Sequence, residues 1–371
     1  MAARLAAQSA QSTTAGAAPL GEHRIALYTE GDALYAAMLA AIAAARASVR
    51  LESYIYASDE VGRRFADALV ERARAGCHVT LRFDAFGSLG AVDAATEAAL
   101  REAGVRVQRS RRWNWRRPFK VHRRNHRKLL VVDDRVAFLG GYNIHRECSR
   151  AVYGEARWRD THARMEGPVA FDAGIAFELY ERSHWSVTRR DEVWLLPNRG
   201  LRGRWLLHRV LRRRFRAAQQ RIWLTTPYFV PDQSTQNQLV RAARRGVDVR
   251  VLVPGRSDVA LAQWATRAAY TPLLAAGVKL YEYRPRVLHA KTIVIDADWA
   301  TVGTANVDYR SLFINDELNA VFGPGPVVDE LARHFEADCA ESAQVRIKPW
   351  RRRPWTMLLA ESIGWFVRRW L

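Results

Sequence analysis

The protein has 371 residues, of which 49% are hydrophobic and 26% are charged, so it is long enough for two domains with substantial cores. Its formal net charge is +20, a value that attracts nucleic acid, phosphorylated ligands or an anionic bilayer without choosing among them. The three cysteines, Cys77, Cys148 and Cys339, show no CxxC or Cys/His spacing, which indicates neither a disulfide framework nor a zinc site.

The N-terminal part of the chain contains two segments of different character. Residues 1–22 are small, polar and alanine-rich, which predicts a disordered tail, and they lack the apolar segment of a signal peptide. The apolar run Ala33–Ala45 is too short to span a bilayer and predicts a buried helix. We therefore expect any membrane association to be peripheral.

The rest of the chain repeats one pattern of elements. From Ser48 and again from Arg221, a β-rich run is followed by a turn, an amphipathic helix and a second β-rich run. The helices end at Gly76 and Gly246, where a left-handed residue is expected. Alternating strands and helices predict an α/β protein with two similar halves, packed face to face about a pseudo-two-fold axis.

Pro and Gly residues at Leu195–Arg204 predict the link between the halves. The sequence thus divides into four parts. They are the disordered tail 1–22, a first domain 23–195, a second domain 196–345, and a basic amphipathic C-terminal helix 346–371.

Each half also carries one copy of a short motif with identical spacing. The copies are His126-x-Lys128-x4-Asp133-x6-Gly140-Gly141-x-Asn143 and His289-x-Lys291-x4-Asp296-x6-Gly303-Thr304-x-Asn306. On a strand, residues i and i+2 point to the same face, so His and Lys project together into one site. The Asp falls where the strand ends in a turn, and the Gly pair before Asn suits a close approach of backbone to an anion.

These residue types suit phosphoryl transfer through a covalent intermediate. Lys and Asn donate to phosphate oxygens, one neutral His attacks phosphorus, and a second, protonated His protonates the leaving oxygen. A carboxylate on each imidazole would fix its tautomer, and the candidates are Asp160 and Glu317, one after each motif. For Asp133 and Asp296, a role in holding the turn is an alternative to a role in catalysis.

The double pattern resembles the HKD motif of the phospholipase D superfamily, and both copies match it in full from His to Asn. The resemblance spans about residues 23–345. It implies two phospholipase D-like α/β/α sandwich halves that share one active site at their interface, a phosphohistidine intermediate, and no requirement for a metal or cofactor. At Gly141 many family members have Ser instead.

The resemblance also implies residue roles. In similar enzymes the histidine of the first motif is the nucleophile, so we expect His126 to attack and His289 to act as acid and then base. Catalytic roles fall on the His, Lys and Asp of each motif: His126, Lys128, Asp133, His289, Lys291 and Asp296. Asn143 and Asn306 are expected to bind phosphate, and Asp160 and Glu317 to orient the histidines.

The approach to the first motif is basic and aromatic. From Gly104 to His126 there are 22 residues, whereas Gly277 to His289 spans 12, and the extra residues fall in RSRRWNWRRPFKVHRR. Arg with interleaved aromatics can stack on single-stranded nucleic acid or lie at a membrane interface. Expected lipid contacts here are Trp113, Trp115, Arg116 and Arg117.

The C-terminal sequence KPWRRRPWTMLLAESIGWFVRRWL favours the membrane. Its apolar residues recur at helical spacing and arginines flank them, which predicts an interfacial helix on anionic lipid, with Trp355, Trp365 and Trp370 as contacts. The alternative is a helix docked on the protein or on a second subunit.

Within the superfamily the chain most resembles the bacterial cardiolipin synthases, through segments such as TTPYFVPD, GTANVDYRS and NDELN, and among them the B form, which lacks N-terminal transmembrane helices. The implied reaction is phosphatidyl transfer between two phosphatidylglycerols with release of glycerol, carried out peripherally at the inner (cytoplasmic) membrane. The implied partner is an anionic phospholipid membrane and not nucleic acid. A phospholipase D hydrolase, an endonuclease and a non-enzymatic basic binding protein are the alternatives, and the sequence leaves the oligomeric state and the acceptor preference open.

Overall fold

The computed structural model of the chain describes residues 18–111, 122–181, 192–257 and 259–367. Within these ranges the strands are β1 (Ala18–Leu20), β2 (His23–Tyr28), β3 (Ser48–Ser53), β4 (His78–Asp84), β5 (Arg106–Ser110), β6 (Leu129–Val132), β7 (Val136–Gly140), β8 (His162–Glu166), β9 (Val193–Asn198), β10 (Arg221–Thr225), β11 (Phe229–Val230), β12 (Asp248–Pro254), β13 (Lys279–Tyr283), β14 (Thr292–Ile295), β15 (Trp299–Gly303), β16 (Val307–Asp308), β17 (Glu317–Phe322) and β18 (Ser342–Val345). The α-helices of the same ranges are α1 (Gly31–Ala43), α2 (Glu60–Arg74), α3 (Ala94–Glu102), α4 (Arg150–Tyr153), α5 (Pro168–Glu178), α6 (Gly200–Ala217), α7 (Gln233–Arg244), α8 (Ala260–Ala268), α9 (Tyr270–Ala275), α10 (Tyr309–Phe313), α11 (Pro326–Ala340), α12 (Ile347–Arg351) and α13 (Trp355–Val367).

Two eight-stranded sheets follow the same plan. Their strand orders are β1-β2-β8-β7-β6-β3-β4-β5 and β18-β13-β12-β10-β14-β15-β17-β9. In the first sheet β3, β4 and β5 are parallel and β6, β7, β8 and β2 continue it antiparallel. In the second sheet β10, β12 and β13 take the parallel part and β14, β15, β17 and β9 the antiparallel part. This duplicated plan confirms the prediction of two similar α/β halves.

Equivalent helices begin and end in the same way in the two halves. The carboxylate of Asp59 accepts the backbone N–H groups at the start of α2, and Asp232 does the same for α7. Both helices are followed by a glycine in the left-handed region, Gly76 at φ +91° and Gly246 at φ +92°. The predicted helix ends at these two glycines are therefore confirmed.

Among the described residues, three hydrophobic cores hold the layers together. One lies in each half between the sheet and its outer helices, and it includes Leu34 and Ile42 of α1 in the first half. The third core joins the halves, since Leu139 of β7 and Val302 of β15 belong to one buried cluster with residues of α5 and α11. Burial of each such side chain stabilises the fold by about 1.5–3 kcal/mol, so the shared core fixes the halves face to face.

The predicted link at Leu195–Arg204 is wrong. This region contains β9, which pairs with β17 of the second sheet, and the start of α6. The predicted boundary between residues 195 and 196 thus falls inside a strand of the second half. Pro197 indicated a linker in the sequence, but it lies in β9, an edge strand, where a missing backbone N–H is tolerated.

Both ends of the described chain also differ from expectation. Strand β1 lies within the segment 1–22 that was predicted to be disordered, and it pairs with β2, whereas residues 1–17 lie outside the described residues. Within the described residues, the predicted C-terminal helix 346–371 is divided into α12 and α13, because Pro354 interrupts it. Trp350 of α12 is buried and packs on Tyr270 with ring centroids 5.0 Å apart, so α12 belongs to the second half. None of the helices in the described ranges has both the length and the apolar character needed to cross a bilayer.

Candidate active site

Each motif histidine is anchored by backbone pairing with the opposite half. The backbone N–H of His126 donates to the carbonyl of Asp316 at 3.0 Å, and that of His289 donates to the carbonyl of Arg159 at 2.7 Å. Short parallel bridges, Asn125 to Asp316 and Arg159 to Leu288, surround these bonds. The two motifs therefore meet at the interface of the halves, in equivalent surroundings.

The carboxylates that contact the histidines cross between the halves. Nδ1 of His126, in the first half, lies 3.0 Å from Oε2 of Glu317, in the second. Nδ1 of His289 lies 2.6 Å from Oδ2 of Asp160, in the first. The sequence analysis predicted both carboxylates as histidine partners but did not assign either one to a particular histidine. A carboxylate that accepts from Nδ1–H fixes the tautomer and makes Nε2 the reacting nitrogen of each ring.

The two carboxylates differ in how they are held. Glu317 also accepts hydrogen bonds from Oγ1 of Thr304 at 2.5 Å and from Oγ of Ser311 at 2.9 Å. In the first motif Gly141 takes the place of Thr304, and a Cβ built there would lie 2.0 Å from Oδ1 of Asp160. Glycine at position 141 therefore makes room for Asp160, and a Ser in its place would collide with that carboxylate in this chain.

An aromatic ring packs against each imidazole, a feature that the sequence analysis did not assign. Tyr54 lies edge-on to His126 with ring centroids 4.9 Å apart, and Trp158 lies 5.1 Å from His289. These rings restrict the imidazole orientations and shield the carboxylate contacts from water. Trp158 lies two residues before Asp160, which the sequence analysis predicted as a histidine partner, whereas no sequence signal marks Tyr54 beyond its place directly after β3.

The motif lysines are buried beside the histidines. Nζ of Lys128 donates to the carbonyl of His126 at 2.8 Å. Nζ of Lys291 lies 2.8 Å from Nδ1 of His289 and 3.8 Å from Oδ2 of Asp160. Burial lowers the pKa of Lys128 to about 7, and the positive charge of Lys291 adds to the effect. A bound anion would offset the repulsion between the two lysine ammonium groups.

Burial also tunes the other titratable groups of the site. Burial lowers the pKa of His126 below the ordinary histidine value. The positive charge of Lys128 lowers this pKa further, whereas the negative charge of Glu317 raises it. Burial raises the pKa of Asp160, and the positive charge of Lys291 opposes this rise. Because a lowered pKa keeps the imidazole neutral at neutral pH, His126 has the protonation state that a nucleophile needs.

A cavity of about 430 Å³ lies between the halves and contains both histidines in its wall. The remaining wall residues come from both halves: Tyr54, Ile55, Phe86, His122, Arg124, Asn143, Trp158, Tyr228, Val230, Val259, Ala262, Asn306, Asp308, Arg310 and Asn315. The structure thus brings Asn143 and Asn306 to the same space. Oδ1 of Asn143 accepts the backbone N–H of Ile55 at 3.1 Å, which orients the amide and keeps its NH₂ group as a donor.

Asp133 and Asp296 lie away from the reacting atoms. Asp133 follows β6, whose other end carries the His–Lys pair, and its carboxylate accepts the backbone N–H groups of Arg46, Ala47 and Ser48. Asp296 accepts the equivalent N–H groups of residues 219–221. A catalytic role for the two aspartates is therefore wrong, and they hold the hairpin against the start of the neighbouring strand.

The predicted lipid contacts fall mostly outside the described residues. This is the case for Trp113, Trp115, Arg116, Arg117 and Trp370. Trp355 of α13 is 72% exposed and Trp365 is partly buried. In the described part of the chain no group of three or more His, Cys, Asp or Glu side chains is placed to hold a metal ion, and the expectation of a metal-independent reaction stays a prediction.

Comparison with known proteins decides the family. Residues 38–153 and 211–339 match the family described as cardiolipin synthase, PLD-like domain. The chain belongs to this family. It is 31% identical over 363 residues to cardiolipin synthase A of Klebsiella pneumoniae, covering 93% of this chain and 75% of that one. It is 32% identical over 369 residues to the cardiolipin synthase of Geobacillus kaustophilus, covering 93% and 73%.

Solved structures support the fold of this family member. The phosphatidylserine synthase of Haemophilus influenzae is similar with a TM-score of 0.74 over 100% of both chains, at 14% sequence identity. The polyphosphate kinase of Porphyromonas gingivalis is similar with a TM-score of 0.60, over 88% of this chain and 49% of that one, also at 14% identity. The predictions of the phospholipase D superfamily and of its cardiolipin synthase branch are confirmed. The narrower likeness to the B form stays a prediction, since the relatives named above include cardiolipin synthase A.

Proposed function

We propose that the protein is a cardiolipin synthase that transfers the phosphatidyl group of one phosphatidylglycerol to a second. The observation that carries this proposal is the pair of carboxylate-held imidazoles, one from each half, in one cavity. The family assignment makes the chain a phosphatidyltransferase of the phospholipase D superfamily.

In the first step Nε2 of His126 attacks the phosphorus of phosphatidylglycerol. The bond from phosphorus to the glycerol headgroup oxygen breaks, and protonated His289 gives that oxygen its proton, so glycerol leaves. Glu317 stabilises the positive charge that develops on His126 as the phosphorus–nitrogen bond forms. The products of this step are a phosphatidyl-histidine and a neutral His289.

In the second step a hydroxyl group of another phosphatidylglycerol attacks the intermediate. His289 takes the hydroxyl proton, the phosphorus–nitrogen bond breaks, and His126 returns to its neutral form with cardiolipin as the product. Lys128 and Lys291 offset the negative charge on the non-bridging oxygens, while Asn143 and Asn306 donate hydrogen bonds to them. Hydrolysis would follow the same course with water in place of the second lipid.

Membrane attachment is part of the proposal. Helix α13 packs on α8 through Gly364, where a Cβ would lie 2.4 Å from the backbone of Ala265. Its apolar residues nevertheless face solvent; they are Trp355, Leu358, Leu359, Ile363 and Phe366. We infer that this face inserts into the headgroup region of an anionic leaflet at the inner membrane. The same helix would then both dock on the protein and lie at the membrane interface, the two interpretations drawn from the sequence.

The test is an incubation of the purified full chain with phosphatidylglycerol vesicles, without added metal and with a parallel sample of single-stranded DNA. We expect cardiolipin and free glycerol in equal amounts and no cleavage of the DNA. Phosphatidic acid as the sole lipid product would show a hydrolase, and cleavage of the DNA alone would show an endonuclease. Either result contradicts the proposal.

A further inference from the structure

Exposed apolar side chains lie in the wall of the catalytic cavity and close to it in sequence, in one segment of each half. Phe86 and Leu89, in the loop after β4 of the first half, are 60% and 76% exposed. Val259 and Leu261, at the start of α8 in the second half, are 39% and 40% exposed. Phe86 and Val259 are themselves part of the cavity wall. We call these four residues the apolar rim; it has one pair on each half.

The first pair of the rim is connected to the reacting histidine. A Cβ built at Gly87 would lie 2.6 Å from the carbonyl of Tyr54, so the rim loop lies closely on this residue, and the Tyr54 ring packs on His126. The guanidinium of Arg124 lies over the ring of Phe86 at 4.9 Å from its centroid. The loop therefore has a defined place directly above the site.

The second pair lies at the start of the helix that packs against α13. Helix α8 begins at the cavity mouth and packs along α13, which carries the apolar face described above. The rim and that face are thus joined by one helix. Apolar side chains exposed in such number on neighbouring segments mark a binding surface.

Exposed basic residues lie near this surface in sequence. Arg256, three residues before Val259, is exposed, and so are Arg351 and Arg352 before α13. Apolar side chains among cations complement an anionic lipid leaflet, whose acyl region takes the former and whose phosphates attract the latter.

We propose that the apolar rim is a membrane-docking surface that seats the mouth of the catalytic cavity on an anionic bilayer. This proposal rests on the proposed function and adds its geometry: the headgroup enters the cavity while the acyl chains stay in the leaflet. Phe86 and Leu89 insert on one side of the mouth, and Val259 and Leu261 on the other. The lipid therefore reaches the histidines from the leaflet without crossing water.

The test uses Leu89→Ser combined with Leu261→Ser in the full chain, because neither side chain is in the cavity wall. The matched control is Phe171→Ser, which removes a side chain that is 52% exposed on α5. Each protein is assayed for cosedimentation with phosphatidylglycerol vesicles, for turnover on those vesicles, and for turnover of a short-chain phosphatidylglycerol below its micelle concentration.

We expect the double variant to lose at least about tenfold in vesicle binding and vesicle turnover, since two apolar side chains no longer enter the leaflet. Turnover of the dispersed lipid should stay within about twofold of the wild type, because a rim that only docks leaves the chemistry intact. Unchanged vesicle binding, or an equal loss in Phe171→Ser, would overturn the docking surface. If the wild type turned over neither lipid while the double variant still lost vesicle binding, the proposed function would fail and the docking surface would stand.

Discussion

Glu317 of the second half and His126 of the first half form a contact of 3.0 Å across the interface. The equivalent contact, between Asp160 of the first half and His289 of the second, is 2.6 Å long. Neither half alone can therefore hold its own motif histidine in the reacting tautomer. The crossing explains why the protein needs both copies of the motif packed against each other.

Replacement of each histidine is expected to affect turnover and the phosphatidyl-enzyme in a different way. His126→Ala should lower turnover by at least about 10³-fold and form no phosphatidyl-enzyme, because no nucleophile remains. His289→Asn should let the adduct accumulate when the leaving group needs little protonation. Acid-quenched enzyme from radiolabelled lipid, followed by gel electrophoresis, measures the adduct. A trapped adduct in His126→Ala and none in His289→Asn would reverse the roles.

Replacing Glu317 tests the carboxylate contact. Glu317→Gln should lower kcat by about 10²–10⁴-fold while vesicle binding is kept, because the neutral amide no longer fixes the tautomer or stabilises the charged imidazole. Thr304→Val should lower kcat by about tenfold, since it removes one hydrogen bond to the carboxylate. Glu282→Gln, which alters a pair with Arg267 in the same half, is the control. Equal effects of Glu317→Gln and Glu282→Gln would refute the assignment.

The pH profile of kcat/KM should reflect the burial of the site. The pKa of His126 is lowered, so the acid limb should lie below the ordinary histidine value. Lys128 is protonated below its pKa of about 7 and loses its charge above it, so the alkaline limb should begin near neutral pH in the free enzyme.

The matched variants for this profile are two Lys→Arg changes. Lys128→Arg should move the alkaline limb to higher pH, because a guanidinium stays charged. Lys279→Arg changes an exposed lysine paired with Asp248 and should leave the profile as it is. An alkaline limb that does not move in Lys128→Arg would assign it to another group.

The close approach of Asp160 to Gly141 predicts intolerance to any side chain at that position. Gly141→Ala should lower the free energy of unfolding by about 1–3 kcal/mol through overpacking and should lower kcat because Asp160 is displaced from His289. Gly323→Ala is the control, since its nearest contact would be 3.3 Å. Denaturant unfolding and steady-state kinetics measure the two effects. A Gly141→Ala protein as stable and active as the control would contradict the geometry.

Removing residues 355–371 tests the membrane role of α13. The truncation begins after Pro354 because Trp350 is buried in the second half and its loss would damage the fold. We expect weaker binding to phosphatidylglycerol vesicles and a retained cooperative thermal transition. In the full chain, Leu358→Ser with Ile363→Ser should weaken binding in the same direction. Unchanged cosedimentation of both proteins would return α13 to a packing role alone.

Much of the site was predictable because it is local in sequence. The spacing of His126 and Lys128 fixed their common direction on a strand, and exact repetition at His289 and Lys291 marked them as a functional pair. Helix ends at Gly76 and Gly246 were predictable for the same reason, since a left-handed glycine acts within one turn.

The errors came from residues whose role depends on distant neighbours. Pro197 indicated a linker, but its strand lies at a sheet edge and pairs with β17, more than a hundred residues later. Asp133 shares a motif with His126, yet its carboxylate binds backbone at the start of β3 because the sheet brings that strand alongside.

The duplication, the chemistry of the motif residues and the family were predictable before folding, because they depend on residue type and spacing along the chain. The folded chain was needed to show which carboxylate contacts which histidine, why position 141 is glycine, and which apolar side chains lie in the cavity wall. Each of these is a contact between segments far apart in the chain, and the packing of the two halves around their shared core brings those segments together.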